Sequence, residues 1–172
     1  MQIADEYSYK NAKELVEKHY GPELQDIRGI LGSVTEKGHR SPSGNGKLLP
    51  GALKRTFKQK FAEHGWDRQR VKVEMLNPPK RAVYREIEFV KDRLGVDLQF
   101  GKVALVAYSV TAKMPIFHDE DMIDVGIELV AMKELAQEMS SGVAYFEQIV
   151  WDLEHRGVAD IDIPVLVLGI KL

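Results

Sequence analysis

The chain has 172 residues, 44% hydrophobic and 29% charged, the balance of an ordinary globular domain rather than of a disordered or fibrous chain. It contains no cysteine, which excludes disulfide frameworks, thiolate zinc sites and cysteine nucleophiles and suits a reducing cytoplasm. The net charge of -2 hides an asymmetry: Glu36 to Arg85 holds 13 Lys and Arg against 4 Asp and Glu, a surplus of +9 that leaves -11 on the remainder.

Met-Gln-Ile-Ala-Asp-Glu at the N-terminus is acidic and lacks the regions of a signal peptide, and the longest apolar run, Val103 to Tyr108, is too short to span a bilayer. Cytoplasmic localisation is therefore expected. From Tyr9 to Val34 apolar residues recur at helical spacing, interrupted by Gly21-Pro22, which predicts a helical hairpin whose second helix opens at Pro22. Gly38 to Gly51 has loop chemistry with His39, Arg40 and Lys47. Leu53, Phe57 and Phe61 then share the face of a helix that stops at Gly65, and its polar side carries Lys54, Arg55, Lys58 and Lys60. A stretch this basic can follow a phosphate backbone, although a solvated helix face is the plainer alternative.

Short β-rich runs follow at Val71 to Met75, Ile87 to Val90, Gly95 to Phe100, Val103 to Val110 and Ile123 to Val130. Met132 to Met139 and Val143 to Arg156 return to helical periodicity, with Ser140 or Ser141 as a cap for the second, and Ile163 to Ile170 reads as a buried strand. The class is α/β, a central mixed sheet flanked by helices. No repeat or linker divides the chain, so one domain over 1–172 is expected, with a basic loop and helix over 36–66 and a catalytic and recognition core over 86–172.

Glu86 to Lys102 reads as a hairpin turning near Lys91 to Leu94. On its second strand Asp97 and Gln99 share one face, while Val96, Leu98 and Phe100 face the core. Glu88 lies across the pair. Carboxylates crowded on a half-buried sheet are costly unless a cation neutralises them, and magnesium, which binds through one or two carboxylates plus a phosphate, suits that donor set. Acids on an exposed strand face are the plain alternative. No Gly-x-Ser-x-Gly, P-loop, Gly-x-Gly-x-x-Gly or His-Glu-x-x-His is present. His118 with Asp119, Glu120 and Asp121 offers cation ligands, but reads first as a polar turn between strands.

These residues carry a resemblance. Glu88-Phe-Val-Lys-Asp-Arg to Gln99-Phe-Gly-Lys102, Val106-Ala-Tyr, Ile123-Asp-Val-Gly, Met132-Lys-Glu-Leu, Glu138-Met-Ser-Ser-Gly142 and Leu168-Gly-Ile resemble successive blocks of the BamHI, BglII and BstYI group of type II restriction endonucleases, the BstYI branch most closely. The likeness is strong from residue 87 onward and looser over Ala52 to Trp66. It implies the PD-(D/E)xK nuclease fold, Mg2+-dependent cleavage of double-stranded DNA, a homodimer, and a palindromic site with a GATC core. Carried over by position, it makes Glu88, Asp97 and Gln99 catalytic and places the metal on Glu88, Asp97 and the Leu98 carbonyl. Gln99 falls where most of the superfamily has lysine, a replacement this group is known for. One departure is visible: the group's Asp-then-Glu order is here Glu88 then Asp97, an exchange of reach that shifts the expected ion toward the Asp97 strand. Lys102, Ser140 and Ser141 match base-contacting positions, and Lys54 and Lys58 are candidate phosphate contacts. Alone, Lys102 would read as a surface turn lysine and Ser141 as a helix cap. Glu74 is a weaker candidate for placing water. The competing readings are a DNA-binding module that keeps the nuclease fold without cutting and a structure-selective nuclease such as a junction resolvase.

Overall fold

A computed structural model describes residues 1–42, 46–77, 80–155 and 163–172. Six strands form one sheet: β1 (Gln2–Tyr9), β2 (Asp67–Lys72), β3 (Tyr84–Lys91), β4 (Leu94–Gln99), β5 (Val125–Ala131) and β6 (Val165–Lys171), in the spatial order β1-β6-β5-β4-β3-β2. The centre, β4-β5-β6, is parallel, and β1, β2 and β3 join antiparallel. Parallel strands covered on both faces read as continuous apolar runs, and all seven residues of β5 are buried.

The helices are α1 (Ala12–His19), α2 (Gly21–Ser33), α3 (Pro50–Glu63), α4 (Val103–Tyr108), α5 (Met114–Asp119), α6 (Lys133–Gln137) and α7 (Phe146–His155), with a π-helical segment, Ser109–Lys113, between α4 and α5. Val16, Ile27, Ile30, Leu53, Phe57 and Phe61 of α1 to α3 pack with Phe89, Val96, Leu98, Ile127 and Leu129. Val106, Val110, Met114, Phe117 and Ile149 pack on the other face with Val130, Val165 and Val167. Helix α3 is clamped to the sheet by Phe61, which stacks on Phe89 with centroids 4.0 Å apart, and by Phe57 against Phe100 at 6.2 Å.

The helical hairpin forms with Pro22 in the first turn of α2, and the 91–94 turn closes β3 onto β4, with Asp92 and Arg93 at positive φ. Three expectations are corrected. Val103 to Val110 is helix, not strand: Val106, Val110, Met114 and Phe117 are buried at helical spacing while Leu105 and Tyr108 face outward, so packing overrides the β propensity of the valines. Strand β1 stands where none was expected, because an edge strand with Ile3, Tyr7 and Tyr9 only half-buried leaves a faint apolar pattern. Helix α7 starts at Phe146, which leaves Ser140 and Ser141 in a turn and not at a cap. The expected end of that helix, Arg156, lies outside the described residues. Among the described residues no helix is long and apolar enough to cross a membrane.

Candidate active site

The β3–β4 ladder runs from Lys91↔Leu94 to Phe89↔Val96. One more step would set Glu88 opposite Asp97, but there the strands part. Ile87 and Val90 pack on the α4–α5 face and Phe89 packs under α3. Residues three apart cannot share a face of a regular strand, so the alternation of β3 slips at Glu88. Its carboxylate turns toward α3, where Oε1 lies 3.1 Å from both Lys54 Nζ and Lys58 Nζ. Lysines four apart on one helix face converge in this way because Phe57 and Phe61 fix the face beneath them. Glu88 Oε2 is buried and has no hydrogen-bond partner among the described residues.

Asp97 is 1% exposed. Strand alternation predicts a half-buried face for it; α4, the π-helical segment and α5 cover that face instead. The contacts to its carboxylate converge on Oδ2: Gln99 Nε2 donates at 3.0 Å, Ser109 Oγ lies 2.9 Å away, and Lys113 Nζ forms an ion pair with the same oxygen. Beside it in parallel register is Glu128, fully buried in β5. Its Oε2 lies 2.8 Å from Ser109 Oγ, and its Oε1 has no partner among the described residues.

A hydroxyl carries one proton and can donate to only one of two carboxyl oxygens, so the second contact is attractive only if that carboxyl is itself protonated. Burial first, and then the charge of Asp97, pushes Glu128 well above the ordinary carboxylate range, against the opposing pull of Lys113 and Ser109. Burial thus favours the neutral form of Glu128, and a neutral carboxyl can donate to Ser109 Oγ while Ser109 donates to Asp97. A group whose pKa rises on folding stabilises fully below its unfolded value, and that stability is lost as pH climbs toward the folded value. Glu128→Gln removes this loss. The urea midpoint of the variant relative to wild type is expected to be higher at pH 8 than at pH 5, and an equal difference at the two values would show that Glu128 is already ionised in the fold.

The recognition candidates meet near the end of β4. Ala144 N–H donates to the Gly101 carbonyl at 2.7 Å, which ties the turn holding the exposed Ser140 and Ser141 to the loop holding the exposed Lys102. Arg40 reaches Glu138 Oε2 at 2.6 Å, and Leu48 N–H donates to the Glu138 carbonyl at 2.8 Å, so the basic loop lies against the same turn. Several bases of the 36–85 stretch are paired within the protein: Lys60 with Glu63, and Arg68 and Arg70 with Glu86. Glu74 is exposed beyond β2, and among the described residues no hydrogen bond or ion pair joins it to the other candidates. His118 and Asp119 belong to the end of α5 and not to a turn; Asp121 pairs with Arg93, and His118 Nδ1 bonds to the Ile123 carbonyl, so this polar group has structural partners. Among the described residues, no three His, Asp or Glu side chains converge into a cation-binding group.

Ser109, Lys113 and Glu128 do not stand out as a cluster in the sequence. Glu128 had a signal, a lone charge inside the run Val125 to Ala131, since a strand buried on both faces holds a carboxyl only with a hydrogen-bonding partner. Ser109 and Lys113, four residues apart, become visible only once this segment is read as helix.

The sequence profile of the family described as "Restriction endonuclease BglII/BglIII" matches residues 4–170. Among solved structures the chain is similar to "Crystal structure of free BglII", with 20% identity, a TM-score of 0.70, and coverage of 100% of this chain and 80% of that one. The mixed sheet and its flanking helices are thus the PD-(D/E)xK restriction-endonuclease fold. No curated protein sequence matches the chain.

Proposed function

Because the chain belongs to the BglII/BglIII family of restriction endonucleases, and is therefore a type II site-specific deoxyribonuclease, we propose that it cuts double-stranded DNA with magnesium, as a homodimer, at a palindrome with a GATC core. In this reading 1–172 is one endonuclease domain, and Glu88, Asp97 and Gln99 stand at the reacting centre. The observation that carries it is the Glu88 carboxylate where β3 and β4 part, with a buried oxygen that no group among the described residues serves, one strand away from the buried Asp97. An orphaned carboxylate oxygen fits a cation. Two carboxylates and a main-chain carbonyl are hard oxygen donors of the number magnesium uses when water and phosphate complete its shell.

Glu88, Asp97 and the Leu98 carbonyl would hold the ion, whose chemistry when bound is to stabilise charge on the phosphoryl group and to acidify water. Gln99 gives its amide nitrogen to Asp97, which leaves its carbonyl oxygen to accept from and orient an attacking water. An amide cannot stabilise negative charge as an ammonium does. Lys54 and Lys58 are phosphate contacts in this reading, and their hold on Glu88 gives that carboxylate a counter-charge when no duplex is bound.

One reacting centre per chain needs a second copy to cut both strands. Helices α4 and α7, which pack on each other, expose Leu105, Tyr108 and Trp151, apolar surface that supports pairing. The GATC core and the BstYI-like branch rest on the sequence resemblance over Glu88 to Lys102 and Met132 to Gly142. The absence of cysteine supports a cytoplasmic setting.

The test is metal dependence. Duplex DNA is cut in Mg2+ or Mn2+, is bound at the specific site but left whole in Ca2+, and is untouched in excess chelator. Cleavage at full rate in chelator contradicts the proposal.

A further inference from the structure

The ammonium bonded to Asp97 comes from outside the sheet. Position 99 of β4 carries an amide, and the positive charge beside Asp97 is Lys113, the last residue of the π-helical segment. Single π-turns inside helices are uncommon and occur frequently at functional sites. Here the widened turn brings Lys113 and Ser109 to the same carboxylate oxygen, Oδ2. Lys113 is only 8% exposed, so water and salt screen its charge little. Lys54 and Lys58, by contrast, bond Glu88 from the protein surface, with side chains 33% and 51% exposed.

We propose that Lys113 is a positioning residue that acts as a resident counter-cation for Asp97: it holds Oδ2 in the metal-free protein and opposes the divalent ion at that carboxylate, so that metal uptake is weak until DNA phosphate adds negative charge. This rests on the reading of Asp97 as a metal ligand. The physical basis is charge counting. A lone buried carboxylate would draw a divalent ion strongly, and an ammonium on the same group cancels most of that attraction. A duplex phosphate at the site restores the net negative charge, which couples metal binding to substrate binding without any moving part.

The experiment measures Mn2+ binding to DNA-free protein by calorimetry, and melting temperature in EDTA and in Mn2+, for wild type, Lys113→Met, Lys113→Arg and Asp97→Asn. Lys113→Met is expected to bind Mn2+ at least about tenfold more tightly than wild type and to gain more melting temperature from it, because the ion supplies the missing charge. Lys113→Arg keeps the charge and should behave as wild type, a distinction that a purely packing role would not make. If Lys113→Met is unfolded in EDTA, recovery of the fold on adding Mn2+ supports the proposal, and failure to recover at concentrations that saturate wild type overturns it. Unchanged or weaker Mn2+ affinity in Lys113→Met, with binding lost in Asp97→Asn, rejects the role of Lys113 and leaves the site reading standing. Unchanged binding in Asp97→Asn rejects the site reading itself, and the role of Lys113 with it.

Discussion

Asp97→Asn is expected to lower the cleavage rate by on the order of a thousandfold or more, the scale of losing charge stabilisation at the reacting group, while specific binding to DNA is kept or strengthened. Binding survives because the substitution removes a negative charge that repels phosphate. The surroundings of Asp97 add a second consequence. Asparagine leaves Lys113 buried and unpaired, and breaking a buried pair by removing one partner costs about 3 to 5 kcal/mol. Loss of activity must therefore be read against the melting curve. Asp97→Asn/Lys113→Met removes both charges and is expected to recover stability but not cleavage. A single variant that cuts at close to the wild-type rate would mean that Asp97 holds no ion.

Lys102→Ala should abolish preference at one symmetric pair of positions in the recognition site. The loss expected is ~1 to 3 kcal/mol of discrimination at that base pair, the size of one good bidentate base contact. Lys102 has the position for it: exposed, in extended backbone just before α4, and beside the turn of Ser140 and Ser141 through the Gly101–Ala144 hydrogen bond. A residue that touched only phosphate would instead weaken all sequences alike and flatten the salt dependence of binding. Cleavage rates on a set of single-base variants of the site separate the two, and uniform weakening across the set would move Lys102 from base reading to backbone contact.

The sheet was legible in the sequence wherever burial is two-sided and chain-local. Strands β4, β5 and β6 announce themselves as short apolar runs, and the Asp92-Arg93 turn follows from the hairpin pattern around it. Of the candidate cluster, one strand's alternation reveals Asp97 beside Gln99, whereas Glu88, expected across from Asp97, lies where the strands part and turns to α3. What the strand pair could not reveal is what lies over it. Val103 to Tyr108 looks like another strand because valine favours pleated sheet. Only the burial of Val106, Val110, Met114 and Phe117 against the sheet identifies it as helix. With that helix mistaken, Ser109 and Lys113 had no reason to meet Asp97, and Asp97 looked half-exposed. The turn of Glu88 toward Lys54 and Lys58 was hidden for a related reason, since a slip in strand alternation depends on how Phe89 packs under α3.

The most direct measurement is digestion of plasmid DNA by the purified protein in Mg2+, with a parallel reaction in excess chelator, followed by sequencing of every end produced. The expected result is a discrete set of cuts in Mg2+ alone, each lying in a palindrome with GATC at its centre. Ends scattered without a common sequence, ends lacking GATC, or the same cuts in chelator would contradict it.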